Sequence, residues 1–405
     1  MANAIVGQSG GPTAAINATL AGVIKGVRES GTIEKLYGAF NGIEGLLEER
    51  YCVLTDVVDD DNKFELLKNT PAAALGSCRK KLPMVEKGNE TYEKLFDIFE
   101  RLDIKYFFYI GGNDSMDTVN KLSEYFRQEG ADIKVIGIPK TIDNDLCITD
   151  HTPGFGSAAK YVAASMREII RDSSVYSIPS VTIVEVMGRH AGWLTASSAV
   201  LHALGETAPH LIYVPERSFS LDAFMRDVRQ AMAKHKAVVV AVSEGIEVPE
   251  GVQSGVVDNF GHKYLSGIGK YLEEAVRNEI GCKVRSIELN VMQRCSSHIC
   301  SKTDIDEAEA IGAEGVKCAL SGETGKVMVF RRVNEMPYTI VIETTSAANI
   351  ANNEKFLPDD FITPSGNNIS DSALNYFLPL IQGELNVVME QGIPKHFAIQ
   401  ESVLK

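Results

Sequence analysis

The sequence predicts an α/β protein with a mainly parallel sheet. Short β-branched runs alternate with longer amphipathic stretches, the order expected when helices cross over between parallel strands. The runs also end repeatedly at glycine-rich or polar turns, and open α/β sheets gather ligands beyond the carboxyl ends of their strands. With 405 residues, the chain is long enough for two or three domains and a substantial core.

Taken in order, the first unit is a strand at Asn3–Gly7, a glycine-rich turn at Gln8–Thr13 and a helix. On that helix Ile16, Leu20, Val23, Ile24 and Val27 share one face. A second unit has a strand at Tyr106–Ile110, a turn at Gly111–Asp114 and a helix over Ser115–Arg127, with Met116, Val119, Leu122 and Phe126 inward. The strand Lys134–Ile138 runs into Pro139–Asp145. Later strands are read at Val181–Val186, Ala237–Val242, Val284–Val291, Lys326–Val333 and Thr339–Ile342. The first three of these end at Met187-Gly188-Arg189, Ser243-Glu244-Gly245 and Gln293-Arg294, which points to one large cleft fed by two sheets. Pro153, Gly154 and Gly156 make His151–Ser157 the best candidate boundary, and Phe377–Ile381 is expected to dock the otherwise polar tail. There is no repeat at a solenoid period and no low-complexity tract.

Lys and Arg total 40 against 54 Asp and Glu, a net charge of −14. That acid excess argues against a dedicated nucleic-acid binder, whose footprint is a basic face. It leaves phosphorylated substrates open, because a few placed cations reverse the field locally. No apolar run reaches the length of a membrane span, and the glycine-rich start does not fit a signal peptide. Seven scattered cysteines, without a CxxC pair or zinc spacing, suggest inert thiols in a reducing cytoplasm.

Ser9-Gly10-Gly11-Pro12-Thr13 lies between a strand and a helix, where exposed amides and the helix dipole favour an anion. It matches neither GxGxxG nor the P-loop, so a tight turn without a ligand explains it equally well and a dinucleotide-dependent dehydrogenase is disfavoured. In Gly111-Gly112-Asn113-Asp114-Ser115, Asp114 serves either as a helix cap or as an acid in a site. Pro139-Lys140-Thr141-Ile142-Asp143-Asn144-Asp145 says more. Two carboxylates beside a lysine, directly after a buried strand, are costly unless they meet a metal or a substrate. One of them can act as general base while the other helps hold a divalent ion. Arg189, Glu244 and Arg294 share the strand-end position and fit either a phosphate clamp or a solvated surface. The run Arg79-Lys80-Lys81 carries the same ambiguity.

In this order, SGGP, LGSCRKK, GGND, PKTIDND, EVMGRHAGW, SEG and MQR make the chain resemble the phosphofructokinase family along nearly its whole length. The resemblance implies two Rossmann-like three-layer domains with the active site in the cleft between them. The donor half would take residues 1–155 with the chain returning over about 293–350, the fructose 6-phosphate half 156–292, and a terminal segment 351–405 would pack back on both. It implies Asp143 as the base that deprotonates the 1-hydroxyl, with Asp145 and Thr141 orienting the sugar and the transferred group. Met187, Gly188, Arg189, Glu244 and Arg294 would line the sugar-phosphate pocket, while Arg79 and the amides of Gly10 and Gly11 would meet the transferred phosphoryl group. By the same resemblance Arg189 and Lys140 would join Asp143 as the catalytic set.

ATP-dependent members resemble GGDG and PGTIDND at two loops where this chain has Asp114 and Lys140. An aspartate and a lysine there resemble the pyrophosphate-dependent branch, and a compact cation suits a short, highly charged donor. The implied reaction is reversible, Mg2+-dependent transfer from pyrophosphate to fructose 6-phosphate, with Asp114 toward the metal. Three departures stand out: Asn113 replaces a metal-binding aspartate, Ser180 replaces an arginine that reaches a neighbouring subunit's sugar phosphate, and Val291 replaces a histidine. Arg285 matches the second inter-subunit arginine, so the resemblance implies a homodimer or homotetramer, with Lys283 near enough to add charge. ATP as donor, sedoheptulose 7-phosphate as acceptor and a silent sugar-phosphate-binding subunit are the alternatives. No nucleic-acid or membrane partner is expected.

Overall fold

The computed structural model describes residues 2–86, 88–248 and 267–399. The expected donor half thus has Met1 and Lys87 outside the described residues, the sugar half 249–266 and the terminal segment 400–405. In chain order the main strands are β1 (Ala2–Gln8), β2 (Ile33–Ala39), β3 (Tyr51–Val53), β4 (Ile104–Gly111), β5 (Lys134–Pro139) and β6 (Ser180–Val186). They continue as β7 (Leu211–Tyr213), β8 (Ala237–Ser243), β9 (Lys283–Glu288), β10 (Lys326–Asn334) and β11 (Thr339–Ser346). One main sheet has the order β11-β10-β5-β4-β1-β2-β3 and the other β7-β8-β6-β9, while Met389–Glu390 and Ile393–Pro394 pair as a small ribbon in the tail. Only the β2–β3 and β10–β11 pairs within the two main sheets are antiparallel. Helices alternate with the parallel strands, so the α/β architecture with two sheets is as the sequence predicts.

The predicted helix faces are the buried ones. Ile16, Leu20, Val23, Ile24 and Val27 pack into the core of the larger sheet, as do Met116, Val119, Leu122 and Phe126 on its other side. The helix Ile16–Ser30 lies in backbone contact with Lys302–Leu320. A Cβ on Gly22 would stand 2.0 Å from Glu309 O, and one on Gly312 2.2 Å from Thr19 O, so only glycine permits this approach. Three strands of the two main sheets escape the sequence reading. β3 and β7 have three residues each, and β2 (IEKLYGA) carries Glu34 and Lys35 near its start. The strand expected over 284–291 stops at Glu288, because Asn290 turns the chain with φ +45°.

Strand register brings the polar turns together. Gly7 sits beside Tyr109, Gly111 beside Pro139, and Val186 beside Ser243. The turns after β1, β4 and β5 therefore adjoin one another and face those after β6 and β8. The crossing between sheets, His151–Ser157, is firmly held rather than loose. Asp304 accepts from the amides of Gly154 (2.8 Å) and Ser157 (3.0 Å). His151 lies buried between Asp150 (2.9 Å) and Glu307 (2.7 Å), stacked on Phe330. Burial alone would lower this imidazole, but the two carboxylates outweigh it and raise it to about 9. The tail docks as expected, with Phe377 and Leu380 buried in the core that holds Phe155 and Trp193. No disulfide forms among the described residues.

Candidate active site

The loop after β1 is fastened to the chain that carries Arg79. Gly10 N–H donates to Cys78 O at 2.9 Å, and Ser9 Oγ donates to the same oxygen at 3.2 Å. This changes the expected role of Gly10, whose amide is already engaged. Gly11 N has no hydrogen-bond partner among the described residues and remains able to meet an anion. Gly10 is needed for its shape, with φ +77° and Lys140 Nζ only 3.3 Å from where a Cβ would stand. Lys140, 2% exposed, donates from Nζ to Gly11 O at 2.5 Å. Burial, assisted by Arg79 and Arg294, pulls its ammonium down to about 7 despite Asp143 and Asp145 nearby. Arg294 reaches the same spot, its Nη1 lying 3.6 Å from the position of a Cβ on Gly11.

Asp114 lies in the first turn of the helix Asn113–Gln128, whose N-cap is Gly112. It pairs with Lys81 at 3.1 Å instead of capping the helix. Asn113 is turned toward the returning tail: its Nδ2 donates to Asn353 O (2.7 Å) and its Oδ1 accepts from Asn352 N (2.6 Å). Both ends of the amide are used, which a carboxylate could not reproduce because it has no donor.

After β5, Thr141 Oγ1 accepts from Asp143 N–H at 3.1 Å and shapes the turn that presents the aspartates. Burial raises Asp143 above the usual carboxylate range. Burial and then the Asp143 charge raise Asp145 to about 7, and the same two causes raise Glu244 to about 7. Across the cleft, Gly188 N–H donates to Glu244 Oε1 at 3.4 Å and Gln293 Oε1 accepts from Met187 N–H at 3.2 Å. Arg189 Nε is buried with no hydrogen-bond partner among the described residues. Such a donor costs free energy unless a ligand satisfies it.

These loops enclose a cavity of about 760 Å³. Of the residues expected in the site, all but Gly188 and Arg285 line it. Gly188 stands behind it with φ +140°, allowing the turn that delivers Arg189. Arg285 lies on the edge strand β9, bonded to Asp172 at 3.0 Å, so the cleft of one chain does not use it. Lys283 on the same strand covers the Tyr176 ring at 4.0 Å. Asn352, Asn353, Glu354 and Phe356 line the cavity without having been singled out in the sequence. Glu354 pairs with His190 at 2.9 Å. These four residues follow the helical turn Ala347–Ile350 and not a strand end, so the pattern that marks the other loops is missing there.

Among the described residues, no group of three His, Cys, Asp or Glu side chains could hold a metal. Asp114 and Asp143 nevertheless supply hard oxygen donors to one cavity. That suits Mg2+, which takes one or two carboxylates and completes its shell with water and phosphate oxygens.

Residues 3–319 match the phosphofructokinase family. A pyrophosphate–fructose 6-phosphate 1-phosphotransferase of Halomonas elongata is 41% identical, over 97% of this chain and 95% of its own. Its counterpart in Xanthomonas campestris is 40% identical, over 98% and 96%. Among solved structures, a pyrophosphate-dependent phosphofructokinase from Marinobacter aquaeolei superposes with a TM-score of 0.87 at 36% identity, covering 98% of this chain and 95% of that one. The chain belongs to the phosphofructokinase family.

Proposed function

We propose that this enzyme transfers a phosphoryl group from pyrophosphate to the 1-hydroxyl of fructose 6-phosphate, reversibly giving fructose 1,6-bisphosphate and phosphate. The observation that carries the donor assignment is Lys140: an ammonium 2% exposed, among Gly11, Arg79 and Arg294, where a short polyanion would meet concentrated charge. A lysine costs free energy in such a place unless an anion repays it.

Asp143 takes the proton from the sugar O1 as that oxygen attacks the nearer phosphorus. The O1–P bond forms, the bridging P–O bond of pyrophosphate breaks, and phosphate leaves. Burial raises the proton affinity of Asp143, which suits a general base. Arg79, Lys140 and the Gly11 amide hold the donor, and Arg189 and Arg294 balance charge on the group in flight, since positioning and electrostatics do most of the work in phosphoryl transfer. Thr141, Asp145, Met187 and Glu244 orient the sugar. Asp114 would hold Mg2+ together with donor phosphate oxygens, and the ion would supply charge neutralisation on the donor, leaving Asp143 free to act as the base.

The donor half is assigned to 1–155 with about 293–350, the sugar half to 156–292, and 351–405 to a segment closing on both. Arg285 and Lys283, set on an edge strand outside the cleft, support a homodimer or homotetramer whose sugar site is completed across subunits. No helix among the described residues is long and apolar enough to cross a membrane. The cytoplasm, where sugar phosphates are kept, is the proposed compartment.

Phosphorus NMR tests the reaction in both directions. With Mg2+, pyrophosphate and fructose 6-phosphate, a sugar 1-phosphate resonance should grow, and fructose 1,6-bisphosphate with phosphate should return pyrophosphate. Failure of both with folded protein would overturn the assignment.

A further inference from the structure

Asn144 separates the two aspartates of the catalytic turn and is completely buried, with φ +54°. That left-handed conformation is uncommon outside glycine, and asparagine adopts it more readily than most side chains. Both ends of its amide are anchored. Nδ2 donates to Tyr376 Oη at 2.8 Å, and Oδ1 accepts from Lys355 Nζ at 3.4 Å. The same ammonium donates to Thr149 O (3.1 Å) and Asp150 O (2.9 Å). An ammonium has three N–H donors, and here it meets three oxygens. Tyr376 Oη donates onward to Asp150 O at 2.6 Å, closing the network.

The backbone of Lys355 continues the support. Its N–H donates to Asp145 O at 2.7 Å, and Glu354 beside it bridges Leu146. Its carbonyl accepts from Trp193 Nε1 at 3.1 Å, and its ammonium stands 4.9 Å from that ring. Trp193 opens the short helix that follows the Arg189 turn. One residue of the tail thus touches the aspartate turn and the arginine turn, yet it does not line the cavity. Burial holds the ammonium down to about 8, so keeping it there has a cost.

We propose that Lys355 is a positioning residue for the catalytic aspartates, acting through Asn144 and resting on the phosphoryl-transfer reading above. The ammonium fixes the Asn144 amide, the amide fixes the left-handed bend, and the bend aims Asp143 and Asp145 into the cleft. A carboxylate displaced by about 1 Å loses about 100-fold in rate. Because the chain touches no substrate at Lys355, the effect falls on turnover and not on binding.

The test compares Lys355→Met, Asn144→Gly and their combination, with kcat and both KM values measured using pyrophosphate and fructose 6-phosphate. Glycine keeps the positive φ while removing the anchored amide. Each single change should lower kcat about 10- to 100-fold and leave both KM values within about threefold. The double variant should be no worse than the poorer single, because both cut the same link. Full turnover in Lys355→Met, a loss confined to KM, or a double loss equal to the product of the singles would overturn the proposal. If Lys355→Met does not fold, Lys355→Gln takes its place in the same cycle with Asn144→Gly, and the same three results would overturn the proposal. An unmodified enzyme inactive with these substrates refutes the reaction itself, whereas an active one with indifferent variants refutes only the positioning role.

Discussion

Replacing Lys140 with methionine should make the protein more stable and a poorer enzyme. The ammonium falls from an ordinary 10.5 to about 7 on folding, chiefly through burial. The unfolded chain therefore binds more protons than the native one between about pH 7 and 10.5, and stability rises with pH across that window. Below about pH 7 the full penalty applies. At 1.36 kcal/mol per unit, with the native lysine half charged at pH 7, it is about 4 kcal/mol there. Methionine has a similar volume and no charge, and it forfeits about 1 kcal/mol for the bond to Gly11 O. The net gain is about 3 kcal/mol at pH 7, shrinking toward pH 10. Loss of a buried charged contact with pyrophosphate costs about 2–5 kcal/mol, or roughly 30- to 5,000-fold in kcat/KM for that donor. Urea unfolding at pH 6 and 9 measures the first effect, and a coupled aldolase assay the second. A variant less stable than the parent at pH 6, or one that keeps its kcat/KM for pyrophosphate, would refute the reasoning.

Asp143→Asn should cut kcat by about 10²- to 10⁴-fold, because the base is lost; calorimetry should still detect fructose 6-phosphate binding, and turnover near the parent value would exclude Asp143 as the base. Asn113→Asp removes the donor that meets Asn353 O and puts a carboxylate against that carbonyl. At about 1 kcal/mol, amide exchange around 352–356 should quicken about fivefold, and unchanged exchange would show that the clamp carries no free energy. In the pH profile, kcat/KM for pyrophosphate should fall as pH rises through about 7, where free Lys140 loses its proton. The kcat profile should hold to higher pH, since the bound anion restores the lysine's charge, and both should fall on the acid side as the raised Asp143 protonates. Superimposable profiles would contradict this.

The parts of the site legible in the sequence are those written at strand ends. A glycine-rich turn or a charged turn, directly after a β-branched run, picks out the loops bearing Gly11, Lys140, Asp143 and Arg189, and strand register then gathers them. What stayed hidden depends on distant pairing. Asn113 meets Asn352 across 239 residues, and no local pattern marks either as a partner. Lys355 lies in a polar tail without periodicity, and its three acceptors include two backbone carbonyls, which leave no trace in side-chain chemistry. The SGGP motif announces a close backbone approach but not which amide is spent internally, so Gly10 and Gly11 look equivalent until Cys78 O is seen to take one. The glycine and proline cluster at 153–156 resembles a loose boundary in sequence. Asp304, 150 residues away from Gly154, makes it a fixed crossing.

The central claim is that the cleft is built for pyrophosphate. Its most direct test is kcat/KM for pyrophosphate and for ATP, measured side by side with saturating fructose 6-phosphate and Mg2+. A buried ammonium beside Gly11 and the Asp114–Lys81 pair in the cavity lining predict a preference for pyrophosphate of at least about 30-fold, the lower bound for one buried charged contact. Equal or better use of ATP would contradict it.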